Sequence, residues 1–192
     1  MKKEEIKKAA IKYFLQKGFE GASLSEIAEE AGIKKASIYS HFKGKDDLFL
    51  EVLREAKAEE IKRKEHFFKK EKSSYPETFL YDYLLYTKKM FQENEILKFW
   101  LRMGFFPPMH LYDVIQKEVI EAEHFQEHLI GQKSSKWIEQ KQIVVKDANT
   151  FNLAFTGIIM AIMVEIVYFN SEKRVDDKLE ALWDVFWKGV SK

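Results

Sequence analysis

The sequence contains no cysteine among its 192 residues, which excludes disulfide bonds, thiolate metal sites and a cysteine nucleophile. Its opening residues, MKKEEIKKAA, lack the apolar stretch of a signal peptide, so we expect a cytoplasmic protein. No segment alternates apolar and polar residues as a half-buried strand would. The net charge of +1 argues against a protein that coats polyanions broadly. Because 46% of the residues are hydrophobic, the chain can still bury a substantial core, which we expect helices to build.

Residues 22–47, ASLSEIAEEAGIKKASIYSHFKGKDD, carry the most informative motif of the chain. Ser23 suits a helix N-cap, and Glu26 three residues later completes a capping box. Gly32 can take the left-handed conformation that ends a helix. The stretch therefore predicts two short helices joined by a tight turn.

The second of these helices has an apolar and a polar side. Ile33, Ile38 and Phe42 are its apolar positions, and a helix this short is unstable in water unless it packs against others. Its other side chains are basic, hydroxyl-bearing or aromatic and face outward: Lys34, Lys35, Ser37, Tyr39, Ser40 and His41. A three-helix unit with such a face is suited to laying one helix in the major groove of DNA.

Residues 10–53 resemble the tetracycline-repressor (TetR) family through the segments LSEIAEEAGI and IYSHFKGKDDLF. The resemblance implies an all-α fold, in which a long helix joins a helix-turn-helix DNA-binding domain, residues 1–47, to a larger effector-binding and dimerisation domain, residues 48–192. It also implies a bacterial, homodimeric transcriptional regulator, usually a repressor that binds a palindromic DNA operator and is released by a small molecule. Such a protein is not an enzyme and needs no cofactor.

The resemblance further implies which residues contact DNA: Ser23, Lys34, Lys35, Ala36, Ser37, Tyr39, His41 and Lys45. Residues 34–37 would begin the recognition helix nearest the base edges, and Lys45 would receive a phosphate at the start of the next helix. Ala36 stands where glycine is common in the family, which suggests contact of its methyl group with thymine. Ser23 would offer a helix N-terminus to a phosphate, a role compatible with plain helix capping.

The rest of the chain shows helical periodicity. A long helix begins at Asp46, and breaks then separate five further segments: residues 76–92, 95–105, 111–142 with an interruption near Gly131, 146–169 and 176–190. Residues 151–169 are apolar enough to suggest a transmembrane helix, but Glu165 makes that interpretation costly, so we expect no membrane contact.

The last two helices are expected to build a four-helix interface between two copies of the chain. The first of them is apolar on nearly all sides, as a helix buried between its own domain and a partner would be. The second has an apolar stripe at three- and four-residue spacing: Leu179, Leu182, Trp183, Phe186 and Trp187. An intramolecular core is the alternative for these side chains.

Aromatic side chains are concentrated between residues 81 and 112. Most can be core residues, yet pockets between helices are lined in this way with a few polar groups. We expect a small, largely apolar or aromatic effector to contact a set from this region and the later apolar helix: Tyr83, Tyr86, Trp100, Arg102, Phe105, Tyr112 and Glu165. Glu165 has alternatives, because a buried carboxylate can face a cationic ligand, pair with Arg102 or a lysine, or lie at a dimer interface.

Two other classes of function compete. A helical ligand carrier whose N-terminal unit binds a protein would share this composition, and charge reversal at Lys35 would separate it from a DNA reader. Residues 124–128, HFQEH, place His124 and His128 on one helix face and match the H-x-x-E-H pattern of zinc peptidases. A third ligand is not evident and the pattern arises readily by chance, so we expect no metal site and no enzyme.

Overall fold

The computed structural model describes residues 2–71, 73–169 and 171–191. Within them every regular element is helical, which confirms the predicted all-α fold. The α-helices are α1 (Lys2–Gly21), α2 (Leu24–Glu30), α3 (Lys35–Ile38), α4 (Lys45–Lys70), α5 (Pro76–Glu93), α6 (Glu95–Phe105), α7 (Tyr112–Glu139), α8 (Ala148–Phe169) and α9 (Glu172–Val190). A short 3-10 turn, Met109–Leu111, precedes α7.

Helix α7 departs from the sequence-based prediction because it is continuous, so the predicted interruption near Gly131 is wrong. A Cβ atom on Gly131 would lie 3.0 Å from Asn152 Nδ2. Asn152 of α8 uses this space to donate to the Glu127 carbonyl at 3.3 Å and to accept from the Ser134 hydroxyl at 3.2 Å. The glycine therefore permits a close approach of two helices while α7 continues through it.

The chain divides into two compact units, and unit 1 comprises Met1–Glu60 and Asn94–Val119. Its core contains aromatic rings from three helices. The Phe14 ring of α1 lies 5.2 Å from the Phe49 ring of α4 and 6.0 Å from the Phe99 ring of α6. All three side chains are fully buried. Because α6 supplies Phe99, a segment from the middle of the chain completes the packing of the N-terminal helices.

Unit 2 comprises Ile61–Glu93 and Ile120–Lys192. Helices α8 and α9 pack along each other, and α5 packs on both. The Phe155 ring of α8 lies 6.4 Å from the Tyr83 ring of α5 and 5.7 Å from the Phe186 ring of α9. The Tyr81 hydroxyl of α5 donates to the Glu180 carboxylate of α9, and this hydrogen bond, with partial burial, raises the pKa of Tyr81 to about 12. Apolar and polar contacts together fix α5 against the last two helices.

The predicted functional boundary after residue 47 stays a prediction. Helix α4 begins in unit 1 and ends in unit 2, and unit 1 includes residues 94–119 in addition to the predicted DNA-binding region. The two units describe how the chain packs, whereas the predicted domains 1–47 and 48–192 describe roles in recognition.

Helix α8 is, within the described ranges, the one helix long and apolar enough by length and composition to cross a membrane. A buried core helix passes the same test, and α8 buries Phe151 and Phe155 inside unit 2. The apolar stripe predicted for α9 also packs inside unit 2: Leu179 is buried, and the Trp183 ring lies 5.4 Å from the Tyr81 ring. The inward-facing sides of α8 and α9 therefore pack within the subunit itself.

Helix α8 keeps a second apolar side that faces solvent, and α9 exposes one large aliphatic side chain among charged residues. On α8, Leu153, Gly157 and Met160 follow one another at helical spacing, and Leu153 is 60% exposed. On α9, Val185 is 73% exposed. We call Leu153, Met160 and Val185 the exposed apolar face. Exposed apolar surface marks sites of interaction where it is contiguous.

Replacing Phe14 with alanine should destabilise the protein strongly, because its buried ring contacts the rings of Phe19, Phe49 and Phe99. We expect the free energy of unfolding to fall by about 3–5 kcal/mol, measured by urea denaturation at fixed protein concentration. Tyr39→Ala is the matched control because the Tyr39 ring is 54% exposed, and its loss should be below about 1 kcal/mol. Equal losses in the two variants would contradict the assigned core.

Candidate nucleic-acid interface

Helix α2 begins with the capping box that the sequence predicts, which the structure confirms. The Ser23 Oγ accepts from the Glu26 amide at 3.2 Å. The Glu26 carboxylate accepts from the Ser23 amide at 3.2 Å and from its hydroxyl at 2.7 Å. The hydrogen bond from Lys17, followed by those from Ser23, holds the pKa of Glu26 below its usual value. These bonds fix the start of α2, and a phosphate contact by Ser23 stays a prediction.

A tight turn at Gly32 joins α2 to α3. Gly32 has a φ of 65°, the left-handed conformation expected from the sequence. Its amide donates to the Glu29 carbonyl at 3.0 Å, and the Ile33 amide donates to the Ala28 carbonyl at 2.9 Å. These bonds satisfy the last carbonyl groups of α2. A residue with a side chain at position 32 would be strained, so this glycine fixes the direction in which the chain enters α3.

Helix α3 is held by its apolar side and presents its polar side to solvent. Ile38 and Phe42 are buried, at 0% and 2% exposure. The Ile38 carbonyl accepts from the amides of His41 and Phe42 at 2.9 Å, which extends the turn beyond the helix. Ser37 is half-buried, and the other predicted DNA contacts of this segment are exposed: Lys34, Lys35, Ala36, Tyr39 and His41. The structure therefore brings the predicted recognition residues together on one short, anchored segment.

Lys45 is placed differently from the other predicted DNA contacts. Its side chain is half-buried, and its ammonium donates to the carbonyl oxygens of Phe19 at 2.7 Å and Ala22 at 3.1 Å. The ammonium also lies 4.2 Å from the centroid of the Phe19 ring. Lys45 therefore contacts the backbone between α1 and α2, and its contact with a DNA phosphate stays a prediction.

The predicted effector contacts are divided between the two units: Trp100, Arg102, Phe105 and Tyr112 in unit 1, and Tyr83, Tyr86 and Glu165 in unit 2. In unit 1, Trp100 is buried whereas Arg102 and Tyr112 are exposed. In unit 2, the rings of Tyr83 and Tyr86 lie 5.2 Å and 5.0 Å from the Phe67 ring. Contacts within unit 2 bring these two tyrosines together, and the effector role of the whole set stays a prediction.

Sequence reasoning missed two buried polar side chains of unit 2, Thr87 and Gln126. The Tyr83 hydroxyl donates to Gln126 Oε1 at 3.2 Å in the interior. Thr87 is 1% exposed, and its hydroxyl has no hydrogen-bond partner among the residues that the structure describes. The available signal was the four-residue spacing of Tyr83 and Thr87, which puts both on one face of α5. The face of α5 that carries Tyr83 and Thr87 is therefore partly polar although it is buried.

Glu165 is buried in α8, at 1% exposure. Its carboxylate accepts from Arg174 Nε at 3.1 Å and Nη2 at 3.4 Å and forms an ion pair with Lys178. Hydrogen bonds from Lys178 and then Arg174 lower the pKa of Glu165. Of the alternatives that the sequence left open, pairing with a lysine is realised, and Arg174 takes the place considered for Arg102. Both cations come from α9, so the carboxylate ties the last two helices together.

The two histidines of the HFQEH segment lie exposed on α7. His128 Nε2 is 2.9 Å from Gln132 Nε2. Across residues 2–71, 73–169 and 171–191, no group of three or more histidine, aspartate or glutamate side chains is arranged to hold a metal ion. The segment therefore gives no support to a metal-dependent hydrolase.

Helix α2, the turn at Gly32 and the exposed side of α3 together define a helix-turn-helix DNA-binding domain. Residues 6–52 match the family described as bacterial regulatory proteins, tetR family. The N-terminal part of the chain therefore belongs to the TetR family of transcriptional regulators, which confirms the resemblance noted in the sequence. Members of this family are DNA-binding transcription factors and not enzymes.

Similarity to individual relatives is strongest in this domain. The regulator YerO of Bacillus subtilis is 49% identical over 49 residues, which cover 26% of this chain and 17% of that protein. AcrR of Shigella flexneri is 44% identical over 50 residues, which cover 26% of this chain and 23% of that protein. The matches thus span less than a quarter of these two relatives. QacR of Staphylococcus aureus is 26% identical over 202 residues, covering 99% of this chain and 98% of that protein.

Solved structures extend the likeness to the whole chain at the level of the fold. SmeT, the repressor of the SmeDEF multidrug efflux pump of Stenotrophomonas maltophilia, has a TM-score of 0.75 at 13% identity, covering 99% of this chain and 90% of that one. FadR of Bacillus subtilis, solved with stearoyl-CoA, has a TM-score of 0.73 at 16% identity, covering 97% and 98%. The larger helical part therefore shares its fold with these two regulators.

Glu165→Gln should remove a pH-dependent part of the stability. The folded state holds the Glu165 pKa below the unfolded value of about 4.3. The ionised carboxylate therefore stabilises the protein above that pH, and this stabilisation is lost as the pH falls through the folded-state pKa. We expect the wild type to be more stable to urea than the variant at neutral pH, and the difference to shrink between about pH 5 and pH 3.

Glu139→Gln is the matched control, because Glu139 is an exposed glutamate on α7 in the same unit. Its stability should follow that of the wild type over the whole pH range. Parallel curves for the wild type and Glu165→Gln would contradict the role assigned to this carboxylate.

Proposed function

We propose that the protein is a cytoplasmic, ligand-responsive transcriptional repressor that binds a palindromic DNA operator as a homodimer. The observation that carries the proposal is the exposed side of α3 and of the turn after it, an anchored segment that presents lysine, tyrosine and histidine side chains. Family members are often ligand-responsive repressors. The full-length similarity to the regulator QacR supports extending this class of function beyond the N-terminal domain.

Recognition of DNA would divide between bases and phosphates. With α3 in the major groove, Lys35 can donate to guanine O6 or N7, and the Ala36 methyl can contact the methyl group of thymine. Lys34, Tyr39 and His41 lie on the same exposed segment and would contact phosphates or neighbouring bases. The few lysines of this surface would supply the salt-dependent part of the affinity.

The exposed apolar face would hold a second copy of the chain. Leu153, Met160 and Val185 lie on the sides of α8 and α9 that do not pack inside unit 2. A two-fold dimer uses the same surface on both subunits, which suits a self-complementary apolar patch. Such a dimer would place two recognition helices about 34–36 Å apart, or a multiple of one DNA turn, to match an inverted repeat.

The effector would bind in the helical interior and shift the population between two states. Tyr83 and Gln126 are hydrogen-bonded in the interior of unit 2. The Thr87 hydroxyl, four residues after Tyr83 on α5, has no hydrogen-bond partner among the described residues. A small, largely apolar or aromatic molecule with one polar group suits this region. Because α4 belongs to both units, it would transmit the change to the recognition helices. A near-complete switch needs a preference for the released state on the order of 5 kcal/mol.

Selection from a random pool of DNA duplexes should recover an inverted repeat with the wild type. Lys35→Glu should recover none, because it puts a negative charge where a guanine edge or a phosphate is expected. The affinity of the wild type for the recovered duplex should fall steeply with salt concentration, as counterion release requires. The measurement is the enrichment of sequences over successive rounds, followed by a salt titration of binding.

Lys136→Glu makes the same change of charge at an exposed position of α7 in unit 2, and it should select the same repeat as the wild type. Failure of a folded, dimeric and ligand-free wild type to enrich any repeat would refute the proposal. That result would favour the helical carrier whose N-terminal unit binds a protein partner.

Val185→Glu should convert the dimer to a monomer, because it buries a carboxylate against an apolar partner surface. Sedimentation velocity should show the change in mass, and affinity for the inverted repeat should fall at least tenfold. Val144→Glu is the control: Val144 is also exposed, at 56%, but lies outside α8 and α9. A Val185→Glu protein that remains dimeric would contradict this interface.

A further inference from the structure

The end of α1 leaves carbonyl groups that the helix itself does not satisfy. The helix is kinked at Gly18, which has φ 71° and ψ 177°, and it ends at Gly21. The last carbonyls of a helix have no intrahelical donor, and here only residues 19–21 follow the kink. A cation that donates hydrogen bonds is therefore well placed at this end.

Lys45 supplies that cation from the first turn of another helix. Besides the bonds to Phe19 and Ala22, its ammonium makes a longer contact of 3.5 Å with the Glu20 carbonyl. An ammonium has three donors, and the backbone carbonyls of this one turn account for all of them. At its own position, the start of α4, a positive charge is disfavoured by the helix dipole. The ammonium group is therefore in a more favourable electrostatic environment at the end of α1 than at the start of α4.

These bonds connect three elements of the DNA-binding domain. Ala22 immediately precedes Ser23, which caps α2, and α2 leads through Gly32 into α3. Phe19 is 6% exposed, and its ring lies 5.1 Å from the Phe49 ring of α4. Lys45 thus links the beginning of α4 to the turn that precedes α2 and α3, the two helices of the helix-turn-helix motif.

We propose that Lys45 is a positioning residue, which fixes the turn between α1 and α2 and so the placement of the recognition helix, and that it does not bind a DNA phosphate. A phosphate contact would require the ammonium to leave the carbonyls of Phe19 and Ala22. The proposal rests on the proposed DNA-binding function for its consequence, whereas the role in the turn can be measured without DNA.

The first test is amide hydrogen exchange of the full-length protein without DNA. Loss of hydrogen bonds from a charged donor predicts that Lys45→Met speeds exchange of the amides of residues 19–26 by roughly tenfold or more. Lys35→Met removes an exposed lysine of the same domain and should leave these amides unchanged. Unchanged exchange in Lys45→Met would overturn the proposal.

The second test is the salt dependence of binding to the inverted-repeat duplex recovered by selection. Lys45→Met should bind at least tenfold more weakly while the slope of log affinity against log salt stays that of the wild type. Lys45→Gln is a second variant in case Lys45→Met does not fold. It keeps amide donors without the charge, and its slope should also equal that of the wild type. A lost phosphate contact would instead lower the slope by about 0.9 per subunit, or about 1.8 per dimer.

A lowered slope in either variant would overturn the proposal, whatever the exchange result. If the wild type selected no duplex, the proposed function would fail, and the exchange measurement alone would decide whether Lys45 holds the turn. The two failures are therefore distinguishable.

Discussion

The hydrophobic anchorage of α3 is the constraint on which the proposed DNA-binding surface depends. The helix has four residues, far too few to be stable alone in water. Burial of Ile38 and Phe42 holds it in place, while the cap at Ser23 and the left-handed Gly32 determine how the chain enters it. The exposed side chains that are proposed to contact DNA thus lie on a segment whose backbone is held in place by the elements packed around it.

Lysines of the N-terminal region occupy two different environments, one internal and one exposed. Lys7 is 5% exposed and pairs with Glu55, which ties α1 to α4. Lys34 and Lys35 are exposed on the recognition segment. Affinity and sequence reading depend on the placement of a few cations against phosphates and bases, so a net charge of +1 is compatible with site-specific binding.

Unit 2 separates its core from the proposed dimer interface, which lie on different sides of the same two helices. Inside the unit, Glu165 of α8 receives Arg174 and Lys178 of α9, so the one carboxylate of an apolar helix is compensated within the subunit. Outside, Met160 and Val185 remain exposed. The apolar stripe of α9, which the sequence suggested for a dimer, lies partly in the core: Leu179 and Trp183 are buried, whereas its other members are half-buried.

The sequence by itself determined the local features: the capping box of Ser23 and Glu26, the turn at Gly32 and the all-helical pattern. Their bonds join residues only three to five positions apart, so their partners can be identified from spacing. The tertiary structure alone decided the rest. It placed Phe99 against Phe14, made Gly131 a point of close approach rather than a break, and directed the Lys45 ammonium to the carbonyls of α1. Those partners are distant in the chain, and packing of whole helices selects among many that the sequence would allow.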